Sequence, residues 1–323
     1  MRVLITGASG YLGRAVVSAF RARGHATVAF SRHAALCGVP GETIDGDVRD
    51  AATLRRAVEG CDAICHSAAL VSLWRPRRED FDDINVGGLR QVLAVARSAG
   101  VRRIVCTSSF LALPPTGAST PGRWNDYQRT KVEADELAAF AVAAGAPLVR
   151  VYPGVIYGPG ELTEGNLVGT MVADHLRGRL PGIIGPDRVW SYAWIEDVAR
   201  AHVTAMECGR PGARYLLGGE NAPQARVFEI VHELTGRPLP RRVPAALAAI
   251  IGALGELGAG LTGRPPLLTS GTVEILTRDW SMDSSAAARD LDYHILPLRD
   301  GIARVVEQLL GGGREWRPVE RDT

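Results

Sequence analysis

The sequence has almost no lysine. Of its 37 basic residues, 36 are arginine and one is lysine, Lys131. Arginine cannot replace the compact ammonium group of lysine where a point charge must tune the pKa of a neighbour. Lys131 follows Tyr127 by four residues, and positions four apart share one face of a helix. The pair therefore predicts a proton donor and acceptor, a phenol whose pKa is lowered by a nearby cation.

Three further absences limit the class of protein. The net charge of +2 is spread along the chain without a long basic block, so no nucleic-acid partner is expected. The five cysteines form no Cys-x-x-Cys pair and have no histidine spacing typical of zinc, so we expect reduced thiols, a cytoplasmic location and no metal. The first residues show no charged leader or cleavage site, so secretion is not expected.

The longest apolar run, residues 244–261, is interrupted by Glu256 and four glycines. It falls short of a membrane span, so no integral membrane segment is expected. We expect a helix at residues 245–257 that packs against the rest of the protein or against a partner subunit. The alternatives are a lid over an apolar substrate and contact with a membrane surface. A homodimer is expected.

A strand, a glycine turn and a helix follow one another at the start of the chain. Residues 2–6 have the pattern of a buried strand, Gly7, Gly10 and Gly13 come next, and a helical stretch then ends at Gly24. Such a turn lets backbone N–H groups approach a pyrophosphate at the N-terminus of the helix. This context predicts a dinucleotide site.

The second strand, residues 26–30, indicates which dinucleotide is bound. Folds specific for NAD place an acidic residue at its end, but the chain has Ser31 and Arg32 there, and the next acid is Glu42. Arg32 would accept a 2′-phosphate. NADP(H) is therefore favoured, with NAD(H) as the alternative.

Strands and helices alternate through the first half of the chain. Further strands are predicted at residues 43–50, 63–66, 103–107 and 148–152, with helices at 54–60, 85–99 and 126–145. Ligands bind at the carboxyl ends of parallel strands. Ser108 and Ser109 follow one strand, and the small residues 67–69 that follow another would let a flat cofactor pass.

The alternation loosens beyond residue 160, where an extended piece is predicted at residues 192–195 and helices predominate, at 166–177, 197–208, 224–235 and 297–310. We predict an α/β protein with a Rossmann-type doubly wound parallel sheet and a smaller, mostly helical C-terminal substrate domain. The predicted dinucleotide-binding domain covers residues 1–160, rejoined by about 189–208. The substrate-binding domain covers 161–188 and 209–310, and residues 311–323 form a tail.

With these motifs, the chain resembles the extended short-chain dehydrogenases/reductases of the NAD-dependent epimerase/dehydratase superfamily. The matching positions are the glycine turn at 6–13, Asp47-Val48, Asn85, Ser109, Tyr127, Lys131 and Pro153-Gly154. Segments 73–74, 174–178, 215–221 and 280–285 resemble the branch of dihydroflavonol reductases, hydroxysteroid dehydrogenases and hopanoid-associated sugar epimerases.

The resemblance implies roles for four catalytic residues. Tyr127 would transfer the proton, Lys131 would lower its pKa and hold the nicotinamide ribose, Ser109 would bind the substrate oxygen, and Asn85 would support a proton relay through water. Strand ends and resemblance together predict a set of cofactor-binding residues: Gly7, Ser9, Gly10, Tyr11, Leu12, Gly13, Arg32, Asp47, Val48, Ser67, Ala68, Ala69, Thr107, Ser108, Tyr127, Lys131, Pro153 and Val155.

The reaction depends on the substrate pocket. Trp190 stands where enzymes of nucleotide sugars carry an arginine for the diphosphate. With Tyr192 and Trp74 it is expected to line a pocket for an uncharged small molecule. The sequence therefore predicts an NADPH-dependent reductase of a largely apolar ketone or aldehyde. The alternatives are a nucleotide-sugar epimerase or dehydratase and a non-catalytic dinucleotide sensor.

Overall fold

The computed structural model describes residues 1–36 and 38–311. The predicted tail, apart from Gly311, lies outside the described residues. The strands are β1 (Arg2–Thr6), β2 (Ala26–Ser31), β3 (Glu42–Asp45), β4 (Ala63–His66), β5 (Arg103–Thr107), β6 (Leu148–Pro153), β7 (Val155–Tyr157), β8 (Ile183–Ile184), β9 (Val189–Trp194), β10 (Arg214–Leu217), β11 (Glu220–Pro223) and β12 (Arg242–Val243).

The helices lie between these strands and dominate the last third of the chain. They are α1 (Tyr11–Ala22), α2 (Ala51–Val58), α3 (Glu79–Phe81), α4 (Gly88–Ser98), α5 (Asp126–Ala143), α6 (Leu167–Leu176), α7 (Ile195–Cys208), α8 (Gln224–Thr235), α9 (Ala245–Thr262), α10 (Ser270–Leu276), α11 (Ser285–Leu291) and α12 (Leu298–Gly311). A π-helical segment, Asp82–Gly87, joins α3 to α4.

Seven strands form one parallel sheet in the order β3-β2-β1-β4-β5-β6-β10. The order reverses at β1, where Val3 is in register with Thr27 of β2 on one side and with Ala63 of β4 on the other. A crevice opens at the carboxyl ends of the strands at such a reversal. The prediction of a doubly wound, Rossmann-type α/β fold is confirmed.

Both faces of the sheet are covered because its strands are apolar on both sides. Successive side chains of a strand point to opposite faces. Val3 and Ile5 of β1 therefore pack in one buried cluster with Phe20 of α1, whereas Leu4 packs in another with Leu54 of α2. This double burial fixes the sheet and holds its strand ends in place.

The substrate side is built on two small sheets, β11-β9-β7 and β12-β8, and on the later helices. A third buried cluster joins Val172 of α6, Trp190 of β9, Phe228 of α8 and Leu298 of α12. β9 is parallel to β7, which follows β6 after a single residue, so the substrate side is anchored next to the carboxyl end of the main sheet.

Two features differ from the sequence-based expectations. β10, from the segment predicted for the substrate domain, lies in the main sheet as the parallel neighbour of β6. The division into domains therefore stays a prediction at this point of the chain. The strand expected at residues 192–195 extends over Val189–Trp194, because it is paired on both sides by β7 and β11.

Candidate active site

The glycine turn brings the first strand, the first helix and the loop after β4 into contact. Gly7 has φ 72°, a left-handed conformation, and a Cβ there would lie 2.7 Å from the Cα of Ala68. A Cβ on Gly13 would lie 2.0 Å from the carbonyl oxygen of Gly7. Only glycine allows this approach. The free N–H groups at the start of α1 therefore face the crevice, where they can bind a pyrophosphate.

A cleft of about 700 Å³ lies at the carboxyl ends of β1, β2, β4, β5 and β6. Every residue predicted to bind the cofactor lines it. The catalytic candidates Ser109, Tyr127 and Lys131 line the same cleft. The structure thus brings together motifs that are up to about 150 residues apart in the chain.

The adenosine end of the cleft fits a dinucleotide. The hydroxyl of Ser31, at the end of β2, is buried and has no hydrogen-bond partner among the described residues. The exposed Arg32 follows it and also lines the cleft. Asp47 accepts hydrogen bonds from Arg49, at 2.8 Å from Nη2 to Oδ2, and this contact holds the pKa of Asp47 below its usual range. Ser31 and Arg32 are therefore available to a ribose or a 2′-phosphate.

The tyrosine and lysine are held by the first turns of α5. Asn125 caps the helix, since its Oδ1 accepts from the N–H of Gln128 at 2.8 Å. This cap fixes where the helix begins and so sets Tyr127 and Lys131 one turn apart on one face. Ser109, just after β5, forms a hydrogen bond with Tyr127 that lowers the pKa of the phenol.

Burial dominates the proton affinity of both groups. It raises the pKa of Tyr127 to about 12 and lowers the pKa of the Lys131 ammonium. Lys131 Nζ donates to the carbonyl oxygen of Thr107 at 3.0 Å. We expected Lys131 to lower the pKa of the tyrosine, but in this structure burial of the phenol raises that pKa and the group that lowers it is Ser109.

Asn85 does not line the cleft. It is buried in the π-helical segment, where its Oδ1 accepts from the N–H of Leu70 at 2.7 Å and its Nδ2 donates to Thr130 Oγ1 at 3.0 Å. Leu70 itself lines the cleft. The side chain therefore ties the loop after β4 to α5, and the predicted proton relay through Asn85 stays a prediction.

Of the three aromatic residues predicted for the substrate pocket, only Trp190 lines the cleft. Tyr192 lies two residues along β9, where it packs against Tyr157 with ring centroids 6.4 Å apart. Trp74 is half-buried, and its neighbour Leu73 lines the cleft instead. These two placements differ from our expectation because Tyr192 belongs to the substrate-side core and the loop turns Leu73 towards the cleft.

Residues that were not predicted complete the substrate half of the cleft: Phe110, Leu111, Leu162, Leu167, Thr170, Thr272, Ile275 and Leu276. Three of them come from the short helix α10. Thr269 caps this helix, accepting from the N–H of Thr272 at 3.1 Å. Threonine is a favoured N-cap residue, so Thr269 was the sequence signal that could have revealed this helix.

Few charged groups face the cleft. Among the described residues that line it, the cations are Arg32 and Lys131 and the acids are Asp47 and Glu164. Glu164 accepts from Ser72 Oγ at 2.8 Å and from Arg75 at 3.1 Å, which links two loops at the rim. Trp190 donates its indole N–H to the carbonyl of Arg278. The substrate half is therefore largely apolar, and the hydroxyls of Ser109 and Tyr127 lie at its base.

This arrangement suits proton transfer to a carbonyl oxygen. Ser109 can donate a hydrogen bond to that oxygen, and Tyr127, protonated at neutral pH, can supply the proton. Lys131 is placed to hold a ribose through its ammonium group. A nicotinamide cofactor would supply the hydride. Fold and site together are those of an NAD(P)-dependent enzyme, and the role of Tyr127 as its acid and base stays a prediction.

Comparison with known proteins identifies the family. The profile described as "NAD dependent epimerase/dehydratase family" matches residues 3–218, more than half of the chain. The protein belongs to this family, and it is an enzyme of the extended short-chain dehydrogenase/reductase type.

Individual relatives cover almost the whole chain. Sterol demethylase protein B of Methylococcus capsulatus is 34% identical over 90% of this chain and 93% of its own length. A 2-alkyl-3-oxoalkanoate reductase of Stenotrophomonas maltophilia is 30% identical over 91% of this chain and 94% of its own. The crystal structure of gox2253 superposes with a TM-score of 0.81, at 27% identity, and covers 97% of this chain and 99% of that one.

Proposed function

We propose that the protein reduces a ketone or aldehyde group on a largely apolar small molecule, with NADPH as the hydride donor. The observation that carries this proposal is the charge pattern of the cleft. Among the residues that the structure describes, its lining cations are Arg32, at the end of β2, and Lys131, beside Tyr127. A nucleotide-sugar site must neutralise a diphosphate, usually through arginine. The substrate half offers aliphatic and aromatic groups instead.

Trp190, which stands at the expected diphosphate position, is held by packing contacts and is not free to bind a phosphate. Trp190 is buried, its ring lies 6.1 Å from that of Phe110, and its indole N–H is used by a backbone carbonyl. The nearby Arg278 stacks on Trp124 at 4.3 Å from the ring centroid. Both contacts favour an apolar substrate. The relative named a 2-alkyl-3-oxoalkanoate reductase supports a carbonyl as the reacting group.

A substrate panel tests the reaction. The protein would be incubated with aryl ketones, polycyclic ketones and UDP-sugars, while NADPH absorbance and sugar isomers are followed in parallel. We expect NADPH consumption with at least one ketone class, and consumption that is roughly 100-fold slower or more with the Tyr127→Phe variant. Sugar interconversion without net NADPH consumption, with no turnover of any ketone, would contradict the reductase proposal and support an epimerase.

The preference for NADPH has its own test. Arg32 is exposed at the end of β2, and a charged hydrogen bond to a 2′-phosphate would be lost in Arg32→Ala. We expect the Kd for NADP⁺ to rise roughly tenfold or more while the Kd for NAD⁺ changes little. Arg55→Ala, on the exposed side of α2, is the matched control. A wild-type protein that binds NAD⁺ more tightly than NADP⁺ would contradict the proposal.

A further inference from the structure

The large apolar side chains of helix α9 lie on its solvent-exposed side. Its length and composition would allow it to cross a membrane, and only 17% of it is buried inside the protein. Its exposed aliphatic residues fall within an arc of roughly 120° at 3.6 residues per turn: Leu247, Ile250, Ile251, Leu254, Leu257 and Leu261. An ordinary surface helix turns such a stripe towards the core. We call this stripe the α9 face.

The inward side of α9 is made of small residues. Ala248, Gly252 and Ala259 are buried, and a Cβ on Gly252 would lie 2.9 Å from the backbone nitrogen of Ser270. The single charged residue of α9, Glu256, accepts from both the N–H and the hydroxyl of Ser270. The helix is therefore seated on the start of α10 by its small side, and the α9 face is directed away from the protein.

Positive charge flanks the α9 face at both ends. Arg241 and Arg242 precede the helix and Arg264 follows it, and all three are exposed. Arg242 pairs with Asp187 at 3.0 Å. Between residues 234 and 273 the sequence has four arginines and one acid, the Glu256 already bound to Ser270. The surface thus combines an uncharged aliphatic stripe with basic ends.

We propose that α9 is a membrane-binding helix that lies in the surface plane of an anionic lipid bilayer. A large apolar stripe with arginines beside it matches the acyl and phosphate layers of such a surface. The inward contacts of Gly252 and Glu256 with Ser270 hold the helix on the protein, so it lies on the membrane and does not cross it.

The size of the face argues against a second copy of the chain as its occupant. Eighteen helical residues are about 27 Å long, and a helix is about 10 Å wide, which gives a footprint of roughly 270 Å². A stable interface buries about 800 Å² on each partner and carries polar groups at its rim. The footprint of α9 is therefore about a third of what a stable interface needs on each partner.

The bilayer would then lie one helix away from the substrate. α9 is seated on α10, and α10 supplies Thr272, Ile275 and Leu276 to the cleft. An apolar substrate dissolved in the bilayer would be concentrated beside the cleft. This benefit rests on the proposed function, whereas membrane binding does not, and vesicle binding can be measured without turnover.

Co-sedimentation with vesicles tests the proposal. The full-length protein would be mixed with vesicles of phosphatidylglycerol and phosphatidylcholine, or of phosphatidylcholine alone. We expect binding to the anionic vesicles that weakens with added salt. The double variant Leu254→Gln, Leu257→Gln should bind at least about tenfold more weakly. Phe140→Gln, which changes an equally exposed apolar residue on α5, should bind like the wild type.

A second pair of variants separates charge from apolar contact. Arg241→Gln with Arg264→Gln should weaken binding to anionic vesicles by roughly fivefold per arginine and leave binding to neutral vesicles unchanged. Sedimentation equilibrium of each variant reports its oligomeric state. A wild-type protein that ignores vesicles, or a Leu254/Leu257 variant that still binds them, would overturn the proposal. A dimer that Leu254→Gln, Leu257→Gln dissociates, without vesicle binding by the wild type, would assign the face to a second copy.

Discussion

At the scale of single residues, the proposed chemistry depends on the position of Tyr127. Its phenol is buried, hydrogen-bonded to Ser109 and held one helical turn before Lys131. Replacing Tyr127 with Phe removes the acid and keeps the ring. We expect kcat for carbonyl reduction to fall roughly 100-fold or more, with little change in the Kd for the cofactor.

Tyr157→Phe is the matched control for that variant. The Tyr157 hydroxyl is buried without a hydrogen-bond partner among the described residues, and it does not line the cleft. This control should keep wild-type activity. Unchanged turnover in Tyr127→Phe would remove Tyr127 from the proton transfer.

The pKa of Tyr127 has a direct readout in the free protein. Burial raises it to about 12, so the phenol should remain protonated throughout the neutral range. The ultraviolet difference between wild type and Tyr127→Phe should show no phenolate below about pH 10, two units under that pKa. Ser109→Ala removes the hydrogen bond that lowers the pKa and should move ionisation further upward. Phenolate near neutral pH would contradict this expectation.

At the scale of elements, the contact between β1 and α1 forms part of the predicted cofactor site. Gly13→Ala would place a methyl group 2.0 Å from the Gly7 carbonyl oxygen, so α1 must move away from the turn. We expect weaker cofactor binding and a loss of about 1–3 kcal/mol in the free energy of unfolding. Gly258→Ala, where a Cβ would meet open space in α9, should instead stabilise by up to about 1 kcal/mol. Calorimetric titration and urea unfolding measure the two effects, and equal behaviour of the two variants would refute this account.

The elements also show how far the sequence alone could lead. β4 and β5 lie at their predicted bounds because each is a short apolar run that follows the glycine ending the helix before it. α8 does so because Pro223 precedes it and Gly236 follows it. The short helix α10 was missed, since seven residues carry too little periodicity and its stability comes from packing under α9.

Side-chain roles were harder to predict than elements. Lys131 and Tyr127 could be singled out because their spacing is independent of the rest of the fold. The environment of Asn85 could not be foreseen, since its amide is used by Leu70, fifteen residues away in the chain. The placement of Tyr192 depended on the partners of β9, which follow from distant strands.

At the scale of the whole molecule, two buried histidines make stability depend on pH. His66 shares a 2.7 Å hydrogen bond with Thr6 across β4 and β1, and burial lowers its pKa to about 3. His202 lies between Val198 and Thr107, and burial lowers its pKa to about 4. Both are neutral in the folded protein at neutral pH.

The direction of this pH dependence follows from the histidine pKa values in the folded and unfolded states. An unfolded histidine has a pKa near 6.5 and binds a proton between that pH and the folded pKa, whereas the buried one does not. The stability is therefore complete above about pH 6.5 and falls as the pH drops towards about 4. We expect a loss on the order of 1 kcal/mol per pH unit for each histidine. His202→Gln should reduce this slope, and the exposed His33→Gln should not. Equal unfolding free energies at about pH 7 and about pH 5 would contradict the predicted loss of stability.

β10 has a consequence for the synthesis of the chain. It closes one edge of the main sheet by pairing with β6, but residues 154–213 lie between the two strands. Until residue 217 has left the ribosome, β6 is an edge strand with unpaired backbone groups. Pairing over such a distance is slow. While the substrate side is being translated, the growing chain therefore exposes an edge of β6 that can pair with another chain.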